Sequence, residues 1–124
     1  MGELKEKTDY KLATVAGINM DAVAATALFT GVLGKHCIVT KIVIYNVTVN
    51  LDTANFGFGF AAGEDDVVSA AVHAALTGAD LFEVINPKAG AAIGQDDGEV
   101  LSIGVDIAQG VAAEMDVDVF GYLY

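Results

Sequence analysis

From Ala24 to the C-terminus, apolar and polar side chains alternate mostly with a period of two. The runs are rich in Val, Ile, Thr, Phe and Tyr, and Gly, Asp and Asn interrupt them at short intervals. A period of two puts successive side chains on opposite faces of an extended backbone, so the chain is confined to short strands that need neighbours to satisfy their peptide groups. About eight strands are predicted, near Tyr10–Val15, Ala24–Thr30, His36–Asn46, Asn55–Ala61, Val68–Ala74, Leu81–Ile85, Val100–Ile107 and Val111–Tyr122. Strands at this spacing suit an antiparallel sandwich or barrel. Pro87, the only proline, falls just after a strand, where it removes no ladder hydrogen bond.

Two stretches also fit a helix. Asp21–Leu28 and Asp65–Leu76 are Ala-rich and open on acidic residues, and Gly78 follows the second as a possible cap. In the second, Val68, Ala70, Val72, Ala74 and Leu76 keep the strand alternation, and strand is the preferred reading there.

The 124 residues, 54% of them hydrophobic, are enough for one domain with a core that needs no disulfide or metal. The expected organisation is an extended N-terminal arm, residues 1–12, followed by a single β-sandwich domain, residues 13–124. The arm holds half the lysines and mixes charge signs, while the rest of the chain is apolar and acidic. The longest uncharged stretches, Ala22–Gly34 and Val67–Ala79, fall short of the roughly 18 residues a membrane span requires.

Seventeen acidic residues face six lysines and no arginine, a net charge of -11. Nucleic acid and anionic membrane are therefore not expected partners, whereas high solubility or a basic protein neighbour is. A lone Cys37 and the absence of a signal-peptide pattern suit a reducing cytoplasm.

The segment His36–Asn46 is apolar on both faces, with Ile38, Ile42 and Ile44 on one and Cys37, Val39, Val43 and Tyr45 on the other beside Lys41. Such a strand is either central and covered on both sides or part of a subunit contact. In Asn55–Ala61, Phe56, Phe58 and Phe60 form one wall, and Gly57 and Gly59 occupy the opposite face, where a bend of the sheet is the favoured explanation over a closely approaching ligand. In the last strand Val111, Ala113, Met115, Val117 and Val119 face inward. Glu114, Asp116 and Asp118 face outward, into water, toward a partner's lysines or toward a divalent ion.

Catalytic chemistry is not expected. Asp65, Ser69 and His73 share a face at intervals of four, but on a strand they lie too far apart to hydrogen-bond, and no nucleophile elbow surrounds Ser69. His36 and Cys37 point to opposite faces. Glu64-Asp65-Asp66 and Asp96-Asp97-Gly98-Glu99 suit weak calcium binding without the EF-hand spacing. No zinc or nucleotide signature is present, so neither enzyme activity nor a cofactor is expected.

The run Ala25-Thr26-Ala27-Leu28-Phe29-Thr30-Gly31-Val32-Leu33-Gly34-Lys35, followed by Val39-Thr40-Lys41-Ile42-Val43-Ile44, resembles a recurrent opening of small bacteriophage virion proteins. The ending Val117-Asp118-Val119-Phe120-Gly121-Tyr122-Leu123-Tyr124 and the middle Phe58-Gly59-Phe60 with Asp65-Asp66 are similar to the same group, although Val32-Leu33 stand where a proline is common. The resemblance implies an all-β, antiparallel jelly-roll-like sandwich and a capsid decoration or cement subunit, built into a virion in the host cytoplasm. It further implies a homotrimer whose partners are its own copies and a major capsid protein or other virion protein. The residues expected to make the contacts are Tyr45, Val47, Phe120, Tyr122 and Tyr124, with Lys5, Lys7 and Lys11 on an arm reaching a neighbour. The alternative is a calcium-assisted carbohydrate-binding or adhesive module of a tail or cell surface that uses the Asp96–Glu99 loop.

Overall fold

A computed structural model describes residues 10–95 and 98–124. Among these residues there are eight strands and no helix: β1 (Tyr10–Asn19), β2 (Ala25–Thr30), β3 (Cys37–Tyr45), β4 (Asn55–Gly59), β5 (Val68–Val72), β6 (Glu83–Ile85), β7 (Val100–Ile107) and β8 (Glu114–Leu123). Both stretches that also fitted a helix contain strands instead. The first sheet runs β1-β8-β3-β6 and the second β2-β7-β4-β5, and every pairing is antiparallel.

The pairs β1·β8, β2·β7, β3·β6 and β4·β5 are nested like the two arms of one long hairpin. Winding that hairpin round so that its arms alternate between two sheets gives a jelly roll, which joins β8 to β3 and β7 to β4 as well. The sandwich is the expected fold, and the topology excludes the barrel alternative.

Inward side chains from both sheets fill the space between them. Phe56 and Phe58 of β4, fully buried, meet edge to face with centroids 6.0 Å apart, beside Ile42 and Ile44 of β3 and Leu101 and Ile103 of β7. Each such side chain contributes roughly 1.5–3 kcal/mol through apolar burial. Phe60 lies beyond the end of β4, partly buried against Gly94, so the aromatic wall has two members within the strand. Gln109 is a buried polar strut at one end of the sandwich. Its Oε1 accepts from the N–H groups of Thr53 (3.1 Å) and Ala54 (2.9 Å), and its Nε2 donates to Asp52 (2.8 Å).

Three local departures from strict alternation change the expected faces. In β3 a bulge opposite the step from Phe120 to Gly121 inserts Thr40, so Cys37, Val39, Ile42 and Ile44 are all buried. Ile38, Lys41, Val43 and Tyr45 then lie on the outer face, which corrects the predicted grouping of Ile38 with Ile42. In β1 the register shifts between Val15 and Ile18, and Gly17 there adopts φ +68°. Third, β8 begins at Glu114 rather than near Val111, which follows the left-handed Gly110 (φ +93°) and is 56% exposed.

The expected arm boundary also moves. Tyr10, Lys11 and Leu12 belong to β1: Tyr10 pairs with Gly121, Lys11 with Phe120, and Leu12 packs on the core. Lys5 and Lys7 lie outside the described residues.

The glycines of β4 are explained by close approach, not by a bend. The segment from Ala61 to Asp66 folds back over the outer face of the second sheet. A Cβ on Gly59 would strike the Asp66 carboxylate and lie 2.8 Å from two backbone nitrogens, and one on Gly104 would lie 2.8 Å from the Glu64 Cβ. The second sheet thus covers its own small-residue face, and the occupant there is the chain itself.

Candidate functional site

The outer face of the first sheet carries large side chains that the fold leaves partly exposed. The register of β8 with its two neighbours orders them in rows. Phe120 lies between Lys11 of β1 and Lys41 of β3. The Lys41 ammonium sits over the Phe120 ring, 4.7 Å from its centroid, a cation–π contact worth about 0.5–1 kcal/mol where water reaches it. One row toward the C-terminus Tyr122 lies opposite Ile38, and Tyr124 stacks on His36 with centroids 5.3 Å apart. Backbone bonds in both directions between His36 and Tyr124 fix that end of β8.

One row in the other direction the sheet is apolar at one edge and polar at the other. Val43 lies opposite Val84 of β6 on one side and Asp118 on the other, with Thr14 beyond. Val84 is 47% exposed, and Phe82, just before β6, is 66% exposed. Apolar side chains therefore run from the β6 edge to Val43 of β3, with Phe120 of β8 one row away.

Asp116 and Asp118 on this face are bonded by neutral donors. Asp118 Oδ1 accepts from the Thr14 hydroxyl at 2.8 Å and the Tyr45 hydroxyl at 2.9 Å. Asp116 accepts from the Gly17 N–H on one oxygen and the Asn46 Nδ2 on the other, both at 2.9 Å. The β1 bulge supplies that N–H, and Asn46 (φ +52°) ends β3 there. Asp116 and Asp118 are thus held by neighbouring strands, and Glu114 at the start of β8 is exposed. The bond to Asp118, burial and the nearby carboxylates raise the Tyr45 pKa.

Of the expected contact residues, Tyr45, Phe120 and Tyr122 lie on this face, and Tyr124 is exposed at its end. Lys11 joins them from β1. Val47 does not: the chain leaves the sheet at Asn46 and turns Val47 into the core, where it is fully buried. Sequence reasoning missed Phe82 and Val84. Their alternation with Glu83 and Ile85 was the available signal, but a segment this short does not show which face is outward.

Other candidate groups do not converge. His73 Nδ1 lies 3.0 Å from Glu83 Oε1, and its ring is tilted on Phe56 at 4.5 Å, so it ties the edges of the two sheets together. Ser69 and Asp65 are exposed. Cys37 is buried, and burial pushes its thiol up to about 11. An open groove of about 540 Å³ runs between Asn19, Asp21, Thr48, Val49 and the segment from Ala112 to Glu114. Its polar groups already serve the loops, Asn19 accepting from the Asp21 N–H and Asp21 from the Gly110 N–H. Asp96 and Asp97 lie outside the described residues, and among the described residues no three potential metal ligands gather.

The fold and this face define an eight-stranded jelly-roll domain with an outward band of aromatic, aliphatic and charged side chains. No protein-family model matches the chain, and no curated protein matches it significantly. Among solved structures, a chain titled as the cyanophage Pam1 capsid asymmetric unit shares the fold, with a TM-score of 0.57 and 16% identity over 94% of this chain and 86% of that one.

Proposed function

We propose that this chain is a virion structural protein, a capsid decoration or cement subunit that binds a protein shell as a homotrimer and stabilises it by contact alone, without catalysis or cofactor. The observation that carries this reading is the asymmetry of the two outer faces. The second sheet covers the glycine stretch of its outer face with its own segment from Ala61 to Asp66 and otherwise exposes small side chains such as Ala25, Ala27, Ser69 and Ala71, whereas the first sheet presents Phe120, Tyr122, Val43 and Val84 outward beside charged side chains. An apolar band bordered by charge has the layout of a protein contact. The fold likeness to a phage capsid chain supports the same reading. A subunit that binds only the assembled shell stabilises it by mass action.

Electron cryomicroscopy and protein mass spectrometry of virus particles purified from the cells that make the chain test the proposal. Regular copies of the jelly roll on the particle are expected, and complete particles carrying none of the chain would overturn it.

A further inference from the structure

The sandwich has four edge strands, β1 and β6 in the first sheet and β2 and β5 in the second. Three of them carry an extra residue against their partners. The shifts fall between Lys11 and Ala13 and between Val15 and Ile18 in β1, between Ala27 and Phe29 in β2, and between Val68 and Ala71 in β5. Such bulges twist an edge away from an incoming strand. β6 has none: Glu83, Val84 and Ile85 pair residue for residue with Ile44, Val43 and Ile42. Charge does not guard this edge either. Between Asp80 and Lys88 the one charged residue is Glu83, and its carboxylate is turned to His73. Leu81, Phe82 and Val84 are 44%, 66% and 47% exposed along it.

We infer that the free edge of β6 takes the β6 strand of a second copy, antiparallel, about a two-fold axis at Val84. In that register Val84 faces its counterpart, Glu83 faces the partner's Ile85, and each outward position meets an outward one. The apolar row of Val43 and Val84 then continues across the axis, and two four-stranded sheets join into one. Charge singles out a copy as the occupant. A chain of net charge -11 repels its like over most of its surface, but the outward positions of this stretch, Phe82, Val84 and Asn86, are uncharged. The same positions offer a basic protein nothing to pair with. Leu81, Phe82 and Val84, exposed to this degree, present roughly 300 Å² of apolar surface per copy, against the roughly 800 Å² in all that each partner buries in a stable complex. The contact is therefore weak. It forms where copies are crowded, as on a shell, and is separate from the trimer proposed above, which alone sets the mass at micromolar concentration.

Cysteine cross-linking tests it. Opposite residues of an antiparallel pair have Cα atoms about 4.5–5.5 Å apart, within disulfide reach whichever way the ladder bonds alternate. In oxidised glutathione at about 0.5 mM protein, Val84→Cys should form linked pairs about tenfold faster or more than Val23→Cys. Val23 is the more exposed of the two, at 68%, but lies between β1 and β2, and the buried Cys37 takes no part. The second readout uses the wild-type chain labelled with nitrogen-15. Raising its concentration from about 50 µM to about 1 mM should shift the amides of Glu83, Val84 and Ile85, and Val84→Lys should abolish those shifts. Equal linking rates for the two cysteine variants, β6 amides that ignore concentration, or Val84→Cys joined to a different protein in place of its own copies in the producing cells would overturn the inference. The trimer is judged apart from it, by the mass at micromolar concentration.

Discussion

Gly59 and Asp66 are in direct contact across the outer face of the second sheet: the Asp66 carboxylate accepts from the Phe60 N–H at 2.7 Å and occupies the space that a Cβ on residue 59 would need. The same Cβ would meet the backbone nitrogens of Asp65 and Asp66, which cannot swing away as a side chain end can. Gly59→Ala is therefore expected to cost about 2–3 kcal/mol, the scale of overpacking, read from chemical denaturation. Gly34→Ser, where a Cβ meets open space but φ is +80°, should cost only the smaller backbone strain of about 1 kcal/mol.

Gln109 holds the loop before β8 to the loop before β4 through two accepted N–H bonds and one donated bond. Gln109→Ala leaves the buried Ala54 N–H without an acceptor. A loss of about 2–4 kcal/mol in unfolding free energy is expected, against about zero for truncating the exposed Gln95.

Tyr45 and Asp118 give a pH signature. The raised Tyr45 pKa means that the folded chain holds this proton more tightly than the unfolded chain does. Its contribution is present in full below the ordinary tyrosine pKa of about 10 and is lost as pH rises through the higher folded value. Tyr45→Phe should lower stability by about 0.5–1 kcal/mol at neutral pH and remove that part of the alkaline loss, measured by thermal melting between neutral pH and about pH 11.

Val47 and Phe120 should separate stability from association. Val47 is fully buried in the chain's own core, so Val47→Ala should cost about 1.5–3 kcal/mol and leave subunit contacts unchanged. Phe120→Ala removes a partly exposed ring. It should cost less in folding and more in self-association, read by melting and by light scattering on the same samples.

The strands were legible because period-two alternation and glycine punctuation are local properties, and each predicted segment overlaps a strand, although β1 runs on to Asn19 past the predicted Val15. What lay beyond the sequence depends on neighbours. The bulge at Thr40 flips the faces of β3 midway and is defined only by its register with β8. Gly57 and Gly59 did signal close approach as an option, but the identity of the approaching segment is a tertiary fact. Val47 continued the alternation past the left-handed Asn46, so the pattern ran on where the strand had ended. On the outer face, alternation identified Glu114, Asp116 and Asp118 as one row. The donors of Asp116 and Asp118 come from residues 70 to 104 positions away, and nothing local indicates them.

The mass of the purified wild-type chain, measured by multi-angle light scattering at about 10 µM and neutral pH, bears most directly on the claim that the outer face of the first sheet is a contact between copies. The account predicts a single species at three times the 12.8 kDa of one chain. A species at 12.8 kDa that persists as concentration is raised would contradict it.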